Sequence, residues 1–386
     1  MRNPIPDIRR CFALLLVLAM SLSLCMIAHA AKRSTPKIPV IYCSDLFHPH
    51  ADLDDHFDLA CLFALKEIDI KAIILDDMAD GCDQALRPGH IPIDQLNTLT
   101  GRSVPWALGS RVALETPDDI GEDNPNPDRK GVDLILKTLK AAKQPVTIIT
   151  VGSVRNPVAA YNRDPKLFKQ KVRRIFVFIG DARGAFTEWN VHLDPKAYAR
   201  MMNSGLPVYW VPCFDGGGGV NQGNGSFWQA DHTDLLKLTT DRLLNYFRYA
   251  MIQPDGAKDP IKALDESIPD AERRTVLGDR RGLWGASIFA YIAGRKYVKR
   301  DGECMAVPTS DVRKSDQLHE VFSFLPVSVY VDPETGHESI EDSARSHKVL
   351  RFHVVDLATY GQDLTSCVRH LYGELSKQID DRKKVR

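Results

Sequence analysis

Val40-Ile41-Tyr42-Cys43-Ser44-Asp45 runs directly into Leu46-Phe47-His48-Pro49-His50-Ala51-Asp52-Leu53-Asp54-Asp55-His56-Phe57-Asp58. A short apolar run ending in an acid, then a polar connection, then an acidic pair opening a helical-period stretch over Phe57-Lys66, reads as strand, loop and helix. The same alternation continues along the chain. Strands are expected at Val40-Cys43, Ala72-Leu75, Val104-Leu108, Val146-Val151, Ile175-Ile179 and Val208-Pro212, with helices between them near Ile93-Leu99, Val132-Ala142, Val158-Asn162 and Lys196-Asn203. Alternating strands and helices make an α/β fold with a doubly wound, mostly parallel sheet. Asp194 at an N-cap and Pro195 at the first helical position mark one junction sharply. Further on, helices are expected near Asp234-Met251, Arg280-Ala293 and Leu364-Ser376, and strands near Val327-Val331 and Val349-Val355. Ligands of such sheets bind beyond the carboxyl ends of the strands, so residues just after each strand are where chemistry is sought.

The connection after the first strand carries four carboxylates between Asp45 and Asp55. Like charges so close repel unless a cation lies among them, and a hard cation such as calcium takes several oxygen ligands. Capping and helix-dipole stabilisation would explain one aspartate, not four. His48, His50 and His56 leave open a nitrogen-preferring metal instead.

Elsewhere the sequence narrows the classes. Lys and Arg number 50, as do Asp and Glu, and 44% of the 386 residues are hydrophobic. Arg9 and Arg10 precede an apolar run from Phe12 to Ile27 that ends in Ala28-His29-Ala30. This reads as a signal peptide over residues 1–30, too short to span a bilayer, leaving residues 31–386 as a single exported domain, periplasmic or extracellular. Its removal takes three basic residues and one acidic one, leaving 47 against 49 and a net charge of −2. That balance has no footprint for nucleic acid or for a membrane surface. No Cys-x-x-Cys pair is present, and Cys82 and Cys304 sit in loop-like sequence where a disulfide is conceivable. Asp215-Gly216-Gly217-Gly218-Gly219 opens a glycine-rich loop that lacks the lysine of a phosphate loop and is either flexible or a lid.

Three segments resemble the inosine–uridine preferring nucleoside hydrolase family. These are Asp45 with the pair Asp54-Asp55, the run from Pro145 through Val151-Gly152 to Asn156, and Thr187-Glu188-Trp189-Asn190 followed by Asp194-Pro195. The resemblance implies a nucleoside-hydrolase-like, Rossmann-like domain and hydrolysis of the N-glycosidic bond of a nucleoside or related riboside. It implies a calcium ion on Asp45, Asp55 and the Val151 carbonyl, and Asp45 or Asp54 as base toward a metal-bound water. Glu188 and Asn190 would bind ribose hydroxyls, Asn156 would stand at the substrate turn, and homo-oligomers are common in the family.

The late helix departs from the pattern. Where the family carries a His-Asp pair, this chain has Trp284-Gly285. Three arrangements are compatible with the gap. Calcium binds without that ligand; Asp215, Asp279 or another carboxylate replaces it; or catalysis is gone and a ribose- or nucleoside-binding protein remains, with Trp284 contacting the ligand.

Overall fold

The computed structural model describes residues 36–49, 53–77, 83–121, 130–252, 259–286 and 288–385. The expected signal peptide, His50, Asp52, Cys82 and most of the loop around residues 117–129 lie outside the described residues. Among those described, no helix is long and apolar enough to cross a membrane.

A nine-stranded sheet organises the domain. Its parallel part is β1 (Ile38–Ser44), β2 (Ile68–Leu75), β3 (Trp106–Leu108), β4 (Val146–Thr150), β5 (Val172–Phe178) and β6 (Val208–Val211), ordered β6-β5-β4-β1-β2-β3. These strands are apolar on both faces because both are covered. Val40 and Tyr42 point into one core with Ile73, Leu75, Phe176 and Phe178, while Ile41 and Cys43 point into the other with Ile74, Ile148, Ile175 and Val177. The first face is covered by α1 (Asp54–Ala64) and α2 (His90–Thr100), the second by α3 (Gly131–Ala141), α4 (Arg155–Arg163), α5 (Pro165–Lys171) and, beyond a short α6 (Trp189–Leu193), α7 (Pro195–Met202). Asp194 caps α7 as its sequence requires, its Oδ1 accepting from the Ala197 amide at 2.9 Å. The chain proceeds from β1 to β2 to β3 on one side and resumes with β4 on the other, so the strand order switches direction between β1 and β4. A crevice opens at the carboxyl ends there.

The later chain is less regular. β7 (Trp228–Asp231) and β8 (Arg280–Leu283) form an antiparallel ribbon, and β9 (Lys296–Arg300), β10 (Glu303–Val307) and β11 (Gln317–Leu318) a small sheet. β12 (Phe322–Val331), β13 (Glu338–Ile340) and β14 (His347–Val354) extend the main sheet, with β14 parallel to β6 and β12 antiparallel to both its neighbours. Here α8 (Asp241–Ile252), α9 (Asp270–Leu277), α10 (Ile288–Ile292) and α11 (Leu357–Val385) are the principal helices.

Two expected helices are corrected. Asp234-Met251 is broken before Asp241, where the Thr239 hydroxyl turns back onto the Leu236 carbonyl at 2.6 Å. Arg280-Ala293 is not one helix: its first four residues pair with β7, a turn follows at Trp284–Ala286, and only Ile288–Ile292 is helical. Two glycines explain the strand and the turn. A Cβ on Gly282 would lie 2.9 Å from the Phe227 ring, and one on Gly285 2.2 Å from an Asp58 oxygen. Cys304 lies beside Cys367, their sulfurs 3.4 Å apart, and both are free thiols.

Candidate active site

Where the strand order switches, one cavity of about 360 Å³ collects most of the residues singled out above. Its lining includes Asp45, Asp54, Asp55 and Asp58 from the β1–α1 region, Val151 after β4, and Glu188, Trp189 and Asn190 around the start of α6. Aromatic rings close the remainder: Phe47, Phe178, Phe214 and Trp284. A volume of this order suits a nucleoside-sized ligand.

Each polar group is held by the backbone beneath it. The Ser44 hydroxyl donates to Asp55 Oδ1 at 3.0 Å and accepts from the Leu46 amide at 3.0 Å, tying the end of β1 to the first turn of α1. Asp55 is buried, whereas Asp45 and Asp54 keep partial exposure. Asp45 and Asp55 stand close enough for each carboxyl to perturb the ionisation of the other. Desolvation, then the charge of Asp76, pushes Asp45 up to about 7. Burial, and then Asp45, Asp54 and Asp58, raises Asp55 well above the usual carboxylate range.

Asp58 was not singled out in the sequence, yet it stands in the same cavity, 2% exposed. Three residues after Asp55, it lies on the same face of α1. It accepts from the Gly285 and Ala286 amides, and burial raises it well above its ordinary value. Its Oδ1 has no hydrogen-bond partner. One turn further along α1, the Cys61 thiol donates to the Ala286 carbonyl at 2.8 Å, so α1 grips the Trp284–Ala286 turn at two points.

Glu188 and Asn190 brace the start of α6 and line the cavity. Glu188 caps α6, its Oε1 accepting from the Asn190 amide at 3.0 Å and its Oε2 from the Gly180 amide at 3.1 Å. Asn190 Nδ2 donates to the Val151 carbonyl at 3.3 Å, while its buried Oδ1 has no partner. An amide oxygen left bare beside a cavity is poised for a ligand donor.

Asn156 does not join them. Its Oδ1 accepts from the Ser110 amide at 2.9 Å and its Nδ2 donates to Asp76 Oδ1 at 2.9 Å, which consumes the side chain in bracing the turn below the cavity. Asp76 is the other residue that the sequence reading passed over. It follows β2, accepts from the Ser153 amide at 2.7 Å, and is pushed up to about 6 by burial. Gly152 sits in the cleft between Asp76 and Asp45, where a Cβ would lie 2.7 Å from an Asp76 oxygen and from the Asp45 amide nitrogen.

The two carboxylates named to fill the gap near Gly285 are occupied elsewhere. Asp215 pairs with Arg183 at 2.8 Å and anchors Asn224, and Asp279 accepts from Arg280 and Arg281. The glycine-rich loop is pinned rather than loose, with the Gly216 and Gly217 amides donating to Asp181 at 2.8 and 2.9 Å. His48 and His56 pack against Tyr249 and Tyr246, away from the cavity lining. Another metal-type group, Cys304, His319 and Asp363, has ligand atoms within 4.8 Å of one another, but the Lys299 ammonium already pairs with Asp363. The cavity has the better donor chemistry for a hard cation: four crowded carboxylates, a main-chain carbonyl at Val151, and an unpartnered buried oxygen on Asp58.

Comparison with known proteins bears on the family and the fold. Residues 50–246 match the family model described as inosine-uridine preferring nucleoside hydrolase. The pyrimidine-specific ribonucleoside hydrolases RihA of Citrobacter koseri and Salmonella arizonae are 29% and 30% identical over 193 residues, 44% of this chain. The chain spans 58% of the length of these curated relatives. Among solved structures, the plant nucleoside hydrolase PpNRh1 aligns with a TM-score of 0.52 at 14% identity, over 89% of this chain and 99% of its own. An inosine-guanosine nucleoside hydrolase aligns with the same TM-score at 15% identity, over 86% and 98%. With the family match covering just over half of its residues, this chain belongs to the inosine-uridine preferring nucleoside hydrolase family.

Proposed function

We propose that the protein hydrolyses the N-glycosidic bond of nucleosides or related ribosides with a calcium ion at Asp45, Asp55 and the Val151 carbonyl. The observation that carries this reading is the convergence of those three with Asp54, Glu188 and Asn190 on one cavity, from three separate stretches of chain. A bound calcium ion would hold the attacking water and lower its pKa. Asp45 and Asp54, the two aspartates that keep partial exposure, are the bases within reach of a water. The bare Oδ1 of Asn190 accepts from a sugar hydroxyl, and Glu188 offers carboxylate lone pairs beside it. Unpaired buried partners reject a sugar lacking the hydroxyl. As the bond to the base breaks, the anomeric carbon becomes cationic, and the surrounding carboxylates stabilise that charge. The base lies toward Phe214 and Trp284, whose rings meet edge-on with centroids 5.7 Å apart. The Trp284 indole N–H has no partner and is free to donate to it.

The Arg9-Arg10 segment and the apolar run after it support export, and with it action on ribosides outside the cytoplasm. The test is release of reducing sugar from purine, pyrimidine and nicotinamide ribosides by residues 31–386 in calcium, with Asp55→Asn as control. Release that vanishes in the variant supports the hydrolase. Binding of ribosides by the folded chain without any release would replace it with the ribose-binding reading.

A further inference from the structure

The family resemblance leaves a hole in the carboxylate set at Gly285, and the structure shows what occupies that space. An ideal Cβ on Gly285 would sit 2.2 Å from Asp58 Oδ2 and 3.0 Å from Asp58 Cγ. The carboxyl group of Asp58 therefore stands where a side chain from position 285 would begin. It is held there from both sides. The Gly285 and Ala286 amides donate to it, and Cys61 fixes the same turn through the Ala286 carbonyl. That leaves Oδ1 buried, without a partner, and on the lining shared with Asp45, Asp55 and Val151. Leaving a carboxylate oxygen bare in a buried place is costly unless something binds it.

We propose that Asp58 completes the calcium site, supplying from α1 the carboxylate that a side chain at position 285 cannot supply, and that Gly285 is glycine because Asp58 needs its space. This rests on the calcium reading above. It makes the two departures one: a carboxylate has moved from the turn before α10 to the helix packed against that turn. Asp55 and Asp58, one helical turn apart, then grip the ion from a single rigid element, and the donated Gly285 and Ala286 amides orient the new ligand as outer hydrogen bonds orient ligands at metal sites generally.

The experiment is calcium titration of the mature chain by calorimetry, with the calcium-induced rise in melting temperature as a second readout. Asp58→Asn keeps the shape and removes the charge. It is expected to weaken calcium binding by about tenfold or more and to shrink the melting-temperature rise in step. Asp58→Ala should lose binding similarly, and adding Gly285→Asp to it should recover most of the affinity, because the space above the turn is then open. Should Asp58→Asn not fold, the Asp58→Ala pair with and without Gly285→Asp decides the matter: recovery supports the proposal and no recovery overturns it. Wild-type affinity in Asp58→Asn, alongside loss in Asp55→Asn, also overturns it and leaves the calcium reading standing. A wild-type chain that takes up no calcium overturns the calcium reading itself.

Discussion

The chain up to Asn190 and the chain after it meet the same cavity with different chemistry: only the earlier part brings carboxylates. The earlier part contributes all the lining oxygen donors, Asp45, Asp54, Asp55, Asp58, Glu188, Asn190 and the Val151 carbonyl, together with the rings of Phe47, Phe178 and Trp189. The later part contributes Cys213, Phe214 and Trp284, with no ionisable acid or base near neutral pH, since burial raises the Cys213 thiol well above its ordinary value. The earlier residues stand at the ends of parallel strands and the helix beside them, whose positions a two-sided core fixes. In the later wall Cys213 and Phe214 follow the parallel strand β6, whereas Trp284 sits on an irregular turn between a two-stranded ribbon and a five-residue helix. On the proposed reading, charge for the reaction comes from the earlier half and shape for the leaving base from Phe214 and Trp284. Variants in the first half should therefore change kcat, and variants in the second should change which riboside is accepted.

The largest effect tests the first half. Asp55→Asn removes a charge that Asp45 contacts directly, and riboside hydrolysis is expected to fall about a thousandfold or more, with the calcium-induced rise in melting temperature lost as well. A variant that kept near-wild-type kcat would break the assignment of charge to this half.

The second largest tests what the later half lacks. Among the described lining residues there is no histidine, lysine or arginine to protonate a departing base. General acid catalysis contributes about 10²–10⁴-fold. The enzyme should accordingly cleave 4-nitrophenyl riboside, whose phenolate leaves without a proton, about a hundredfold faster than inosine. Equal rates would mean that an acid reaches the base from somewhere other than this wall.

The same division decided what could be read from the sequence. Every parallel strand was legible because its apolar run is short and its neighbours have helical period, and the ligand-bearing ends followed from the topology rule alone. Asp194-Pro195 was legible because capping is local. Arg280-Ala293 was not: its apolar residues fit helical spacing, but Gly282 and Gly285 answer to Phe227 and Asp58, which are remote in sequence. Asp58 carried no sequence signal of its own, and its contact with the Gly285–Ala286 turn is a fact of tertiary packing. Asn156 matched a family position, yet Ser110 and Asp76 consume its amide, a fact of tertiary contact. Glu188 carries two backbone amides, so Glu188→Ala should cost stability as well as ribose binding, and Asn190→Ala is the cleaner probe of the sugar.

One buried carboxylate belongs to the later half without entering the cavity. Glu338 is pushed up to about 8 by burial, and its Oε1 accepts from the Tyr198 hydroxyl at 3.0 Å and the Asp181 amide at 3.4 Å. In the unfolded chain it ionises near the ordinary glutamate value of 4.5. Between those two values the folded state holds a proton that the unfolded state has lost, so stability falls as pH rises from about 5 to about 8. Denaturation midpoints should show a loss on the order of 3 kcal/mol across that window in the wild type relative to Glu338→Gln, with hydrolysis unchanged by the variant. A parallel pH dependence in both proteins would mean that Glu338 is ionised in the fold.

The smallest effect tests the wall itself. Trp284 packs edge-on to Phe214 and within 5.5 Å of the Phe227 ring centroid, so Trp284→Leu keeps an apolar surface while removing the flat face and the unpartnered indole N–H. An aromatic contact of this kind is worth roughly 0.5–1.5 kcal/mol beyond its area, so KM for a purine riboside should rise about tenfold. The rise should be smaller for 4-nitrophenyl riboside, whose single ring covers less of the wall, and kcat should stay within about twofold for both, because no group that touches the sugar has moved. If kcat falls instead and KM holds, Trp284 acts on the bond being broken, and the separation of charge from shape does not describe this cavity.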